Sequence, residues 1–324
     1  MTASTTDLRR GYPIALLSAA ILSTTAIFIR YLTQTYDMPA LVLALWRDGL
    51  VALTLLPVLG LLRPKLLRVA RRHLRYLLIY GLVLALFNAI WVLSVALNGA
   101  AISTVLVYSS AAFTVLLGRL FLGERLDWAK LVAVVFSLGG CVLVAGMLDA
   151  AAWVVNPVGI VTGLLSGLWY AIYSLMGRSA AQRGLNPWTT LLYTFIFATG
   201  FLLLFNLLPL GAIPGKAANP QELFWLGDAV SGWVILFLLA AGPTVAGFGL
   251  YNVSLSLLPS SVANLILTSE PAFTALIAYL LLGERLTVVQ IGGSLLILAG
   301  VLLLRLYEGR MARAAAFAPA QAAD

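Results

Sequence analysis

Between Gly11 and Tyr307 the chain is a succession of apolar stretches of about 20 residues, each closed by a short polar or charged interval. A hydrocarbon core about 30 Å thick is crossed by about 20 mostly apolar residues in a helix rising 1.5 Å per residue. Each stretch therefore has the length of one crossing. Strands do not fit, because a barrel strand alternates apolar and polar residues and these runs are apolar all round. Of the 324 residues 62% are hydrophobic and 10% charged, against roughly 45–50% and 25% in soluble globular chains. An ordinary soluble enzyme is excluded.

The expected spans are 11–34, 38–62, 74–97, 100–121, 128–147, 156–178, 188–208, 231–253, 258–282 and 287–307. Arg9 and Arg10 before the first span mimic a signal peptide, but the apolar stretch is too long and is followed by many more, so it reads as an uncleaved crossing. Short cytoplasmic loops carry the excess of lysine and arginine. With the N-terminus inside, sixteen of the 20 Lys and Arg fall on that side, from Arg9 to Arg313, and only Arg30, Lys216 and Arg285 fall opposite, with Arg47 within the second span. Both termini are expected in the cytoplasm. The net charge of +8 thus reads as topology, and no nucleic-acid partner is expected. Gly309 to Asp324 are alanine-rich and aperiodic and read as a mobile cytoplasmic tail.

At an offset of 160 residues, Ile102–Leu126 aligns with Val262–Leu286 and eleven of the 25 positions are identical, ending in G-E-R-L in both copies. At an offset of 148, Ser18, Arg30 and Pro39 match Ser166, Arg178 and Pro187. The chain therefore divides into a first repeat over 1–150 and a second over 151–308, with the tail at 309–324. Five spans per repeat is an odd number, so the copies enter the membrane from opposite sides, the inverted plan of many secondary transporters.

The stretch S-E-P-A-F-T-A-L-I-A-Y-L-L-L-G-E-R-L from Ser269 to Leu286, continuing to Val301, resembles the end of the EamA-type repeat of the drug/metabolite transporter superfamily. Arg47 also matches an arginine common in that family, whereas Ser110 and Ala111 depart from the Glu270–Pro271 of the second copy. The resemblance implies an all-α basket of ten transmembrane helices, a central cavity for a small-molecule substrate, and alternating access. Within the superfamily the chain is similar to bacterial amino-acid exporters of the plasma (inner) membrane, in particular those for aromatic amino acids.

Ionisable groups inside a membrane are costly and mark functional sites by default. Arg47, Asp48 and Glu270 qualify. Arg47 and Asp48 are adjacent, about 100° apart around a helix, so each is expected to need another partner; they either pin the second span in a structural network, or Arg47 compensates a substrate carboxylate or Glu270. Glu270 precedes Pro271, which removes a backbone donor and breaks the span beside an acid, a candidate for coupling or gating. An alternative keeps Glu270 as a plain hydrogen-bond donor.

Shared helix faces nominate a substrate wall from Tyr80, Asn88 and Trp91, from Tyr108, from Ser166, Trp169 and Tyr173 (with Tyr170), and from Tyr251 and Asn252 beside Thr244 and Phe248. The same residues could instead fill helix interfaces or anchor to headgroups. Gly139, Gly140, Gly292, Gly293 and Gly300 suit close helix approach. The two G-E-R-L motifs suit helix ends whose acid and base cap or cross-link the connections.

Catalysis and cofactors find no support. His73, the sole histidine, lies in a basic segment, Cys141 reads as inert packing in an apolar run, and together they make no His/Cys metal set. There is no P-loop. An intramembrane enzyme or a non-transporting receptor are the alternatives from other classes, and nucleosides or other small aromatic metabolites are the alternative substrates. With no carboxylate in the first span, a neutral or zwitterionic solute is favoured over a cation. Ten helices are enough for a self-contained monomeric pathway.

Overall fold

A computed structural model describes residues 5–148, 156–208, 215–282 and 287–317. Among these residues every regular element is helical. Helices α1 (Thr5–Leu22) and α2 (Thr25–Thr35) make the first span and α3 (Ala40–Leu62) the second. Helices α4 (Arg71–Val107) and α5 (Ser110–Leu122) hold the third and fourth, and α6 (Trp128–Val144) is the fifth. Helices α7 (Pro157–Gln182) and α8 (Pro187–Leu207) follow, then α9 (Val230–Leu239) and α10 (Val245–Leu257) joined by a π-helical turn over Ala240–Thr244. Helices α11 (Ser260–Leu267) and α12 (Glu270–Leu282) form the ninth span and α13 (Val288–Phe317) the tenth.

Eight of the ten expected spans are helices long and apolar enough to cross a membrane. The other two are α6, 17 residues long, and the α11–α12 pair, broken at Thr268–Ser269. Start signals are local: Asn156 and Asn186 cap α7 and α8 by accepting from Val158 N and Trp188 N, each at 2.9 Å, with proline next in sequence.

Three boundaries differ from expectation. No break separates the third and fourth spans in α4, yet Ser94 Oγ donates to Ser103 Oγ at 2.9 Å. A straight helix would set these nine residues about 13.5 Å apart, so α4 turns back on itself between them. The first span is interrupted at Ser23–Thr24, whose hydroxyls donate to Ala20 O and Ile21 O. The expected tail is helical as far as Phe317, because Gly309–Phe317 is rich in alanine and arginine, both strong helix formers. Residues 318–324 and the expected repeat boundary at 150/151 lie outside the described residues.

The packing repeats between halves. The second span packs on the seventh (α3 on α8) and the fifth on the tenth (α6 on α13). The third packs on the sixth (α4 on α7), matched by the eighth on the first (α10 on α1). The fourth on the sixth (α5 on α7) is matched by the ninth on the first (α11 and α12 on α1). Exchanging each span with the one five later maps this pattern onto itself. The exchange is inverted: Trp128 and Lys130 at the start of α6 meet Tyr307 and Glu308 near the end of α13, while Gln290 at its start donates to Val144 O at 3.4 Å. The chain is an all-α membrane protein built of two inverted five-helix repeats.

In lipid, helices associate by close packing rather than by apolar burial. The α6–α13 crossing shows it, since a Cβ on Gly293 would stand 2.8 Å from Gly140 O. A Cβ on Gly292 would meet nothing within 4 Å. Gly293→Ala is therefore expected to lower stability by about 1–3 kcal/mol through overpacking, and Gly292→Ala to leave it unchanged or raised, as read from thermal melts in detergent. Equal melting of both variants would remove this crossing as a close contact.

Candidate functional site

A cavity of about 390 Å³ lies between the two halves. Its wall takes Arg47 from α3, Asn88 and Trp91 from α4, Tyr170 from α7, Phe248 from α10, and Glu270 and Pro271 from α12. Phe87 stacks on Tyr170 with centroids 4.9 Å apart. Tyr108 turns its hydroxyl to the Glu270 carboxyl. The helices around the cavity are interrupted beside it: at Ser23–Thr24 next to Leu22 and Thr25, after Tyr108, before Glu270, and by the π-turn that leads to Phe248. At the break the Thr268 and Ser269 hydroxyls donate to Leu265 O and Ile266 O. Irregular backbone at membrane depth is tolerated where it lines a cavity.

The start of α1 and the later part of α13, the terminal helices, lie on one face, because Arg305 stands over the Tyr12 ring at 5.8 Å. Val144, Ala145 and Gln290 on the wall belong to the ends of α6 and α13 opposite that face. The cavity thus reaches toward the face away from the termini.

Arg47 and Asp48 correct an expectation. They pair with each other: Arg47 Nε donates to Asp48 Oδ1 at 3.1 Å and Nη2 lies at the same distance. The angular step between adjacent residues separates their Cβ atoms, but the long arginine stem spans it. Asp48, fully buried, takes its second partner from Asn88 Nδ2 at 2.9 Å on Oδ2. Arg47 keeps an edge on the cavity wall while Asp48 stands behind it.

Toward the terminal face the cavity ends in a buried polar plug. One step further along α7 and α10 than Tyr170 and Phe248 come Tyr173, Tyr251 and Asn252. Tyr80 OH donates to Asn252 Oδ1 at 3.4 Å, and Asn252 Nδ2 donates to Tyr173 OH at 3.2 Å. Tyr251 OH bonds Ser174 Oγ at 2.6 Å, and Asn264 Nδ2 donates to Ser174 Oγ at 3.1 Å. Beyond the plug, Arg178 Nη1 donates to Leu255 O and Ser256 O.

A carboxylate seals that face. Gly123, at φ +63°, ends α5 and turns the chain, and Glu124 folds back over Gly118, where a Cβ would meet its Oε2 at 3.0 Å. Glu124 Oε1 accepts from Ser260 N and Ser260 Oγ, each at 2.6 Å. Its Oε2 accepts from Ser261 N at 3.1 Å and from Ser261 Oγ. An acid on the first amides of α11 also meets the positive end of the helix dipole. This is the cross-link expected of the first G-E-R-L; the second copy, Gly283–Leu286, lies outside the described residues.

Of the nominated residues, Arg47, Asn88, Trp91, Tyr108, Glu270 and Pro271 stand on one wall. Tyr80, Tyr173, Tyr251 and Asn252 stand together in the plug. Ser166 donates to Gly163 O of its own helix, and Trp169 packs half-buried against the core away from the cavity. Cys141 is buried in an apolar cluster that borders the wall, its Sγ 3.8 Å from Thr268 O. Phe87, Gln290, Ser260 and Ser261 were not singled out by the sequence reasoning. For the two serines a signal existed: the positions 160 residues earlier are Ala100 and Ala101, so the hydroxyls are private to one half.

Comparison with known proteins agrees with this architecture. An uncharacterized transporter of Archaeoglobus fulgidus is 27% identical over 300 residues, 91% of this chain and 96% of the relative. The threonine/homoserine exporter RhtA of Salmonella typhimurium is 28% identical over 246 residues, 74% of each chain. A solved crystal structure superposes with a TM-score of 0.75 over 93% of this chain and 98% of its own, at 16% identity, and shows the fold alone. The EamA-like transporter family matches residues 9–146 and 157–306, one stretch for each repeat, and the chain belongs to that family.

Proposed function

We propose that this EamA-type transporter exports amino acids, aromatic and other neutral ones, across the bacterial inner membrane by alternating access, with both termini in the cytoplasm. The observation that carries the reading is a cavity walled by Phe87, Trp91, Tyr170 and Phe248, reaching away from the termini and shut toward them by the tyrosine plug and Glu124. Ring walls with a few polar groups suit a small solute having one apolar and one polar end. RhtA, similar over 74% of the chain, is named as an amino-acid exporter, which supports the class. Glu270, half-buried on the wall beside a broken helix, is the group that couples transport to protons.

The test is uptake of labelled phenylalanine into proteoliposomes, with empty liposomes as control and with or without a pH gradient. Saturable uptake competed by tryptophan and tyrosine is expected, with Glu270→Gln abolishing its response to the gradient. Trp91→Ala is expected to reduce uptake about tenfold or more, the effect of losing one well-packed ring, while Trp169→Ala leaves it near the parent. Uptake of nucleosides but not of phenylalanine by folded protein would replace the substrate class with the aromatic metabolites that suit the same wall.

A further inference from the structure

Resting on that reading, we propose that the cavity selects solutes carrying one positive and one negative group, Arg47 receiving the carboxylate and Glu270 the ammonium. The two groups reach the same cavity from α3 and α12, and the rings of Phe87, Trp91, Tyr170 and Phe248 line it with them. Arg47 spends Nε and Nη2 on Asp48 Oδ1 and makes no other hydrogen bond or ion pair among the described residues, so its remaining N–H groups are available to an acceptor. The guanidinium is held from behind by Asp48, itself fixed by Asn88, and its edge lines the cavity. Tyr108 stands beside Glu270 on the same wall. Thr25 Oγ1, also on this wall, is buried and has no partner among the described residues.

Charges of both signs on one low-dielectric wall act as a filter. A bare cation pairs with Glu270 but offers no acceptor to the N–H groups that Arg47 does not spend on Asp48, and a bare anion offers no donor to Glu270. A zwitterion serves both groups at once. Its side chain then meets the rings.

The test uses the purified full chain in detergent and calorimetric binding of three probes: phenylalanine, phenylalanine amide, which lacks the carboxylate, and N-acetylphenylalanine, which lacks the ammonium. Phenylalanine is expected to bind at least about tenfold more tightly than either, the effect of one charge-assisted hydrogen bond. Arg47→Gln is expected to erase the preference over the amide only, and Glu270→Gln the preference over the N-acetyl form only. Should Arg47→Gln fail to fold, Arg47→Gln with Asp48→Asn removes both charges of the pair and gives the same readout. Equal binding of the three probes, tighter binding of either analogue, binding of none, or loss of both preferences together in each variant would overturn the proposal. Selective binding without uptake into proteoliposomes would overturn the transport reading and leave this one standing.

Discussion

Replacing Glu124 by alanine is expected to open the terminal face of the protein about a hundredfold more often. Glu124 holds four donors at the start of α11, two of them main-chain N–H groups that no other described side chain reaches. Hydrogen bonds to a charged group contribute about 1.5–3 kcal/mol each and do not add; a combined loss of about 3 kcal/mol is roughly a hundredfold change in a two-state equilibrium. The measurement is the rate at which a membrane-impermeant maleimide modifies Ser174→Cys in a Cys141→Ala background, applied to the terminal face. Ser174 is fully buried in the plug, so it reacts only when that face opens. Ser260→Ala with Ser261→Ala keeps the main-chain donors and is expected to give a smaller acceleration. An unchanged rate in Glu124→Ala would show that the tyrosine plug holds the face shut by itself. The first repeat has Ala100 and Ala101 at the positions 160 residues before the two serines, so the hydroxyl half of the seal is not duplicated in its sequence.

Much of this architecture is written in local sequence terms. Apolar run length defines the crossings because the bilayer imposes it, and G-E-R-L at an offset of 160 exposes the duplication because the motif is kept in both copies, the first of them ending α5 at the Gly123 turn. Glu270 before Pro271 marks the broken ninth span for a comparable reason: the missing amide is a property of one residue. Depth is a different matter. Tyr80, Asn88 and Trp91 share a face of α4, yet Tyr80 lies in the plug and the other two on the cavity wall. Eight residues of helix place Tyr80 about 12 Å from Asn88 along the axis, and a helix face says nothing about which level the opposing helices leave open. The turn inside α4 escaped for the opposite reason. It has no proline, and its contact between Ser94 and Ser103 depends on Gly159 O of α7 lying 2.9 Å from Ser94 Oγ.

Asp48→Ala is expected to cost about 3–5 kcal/mol of stability, the penalty for leaving a buried charge without its partner. Arg47 is 7% exposed, so little water reaches the guanidinium once its buried partner is gone. Asp48→Asn should cost less, because an amide oxygen still accepts from Arg47 and the contact with Asn88 is kept in part. The informative comparison is the double variant Arg47→Met with Asp48→Leu. Replacing both members of a buried pair by apolar residues of similar size is often neutral or stabilising, so this protein should melt near the parent while the Asp48→Ala protein melts far below it. If the pair serves only to pin α3, the double variant transports as the parent does. If Arg47 receives the substrate carboxylate, the double variant is well folded and has lost its preference for phenylalanine over the amide. Thermal melts and binding measured on the same preparations separate the two roles, because stability follows the pairing of the charges whereas selectivity follows the guanidinium alone.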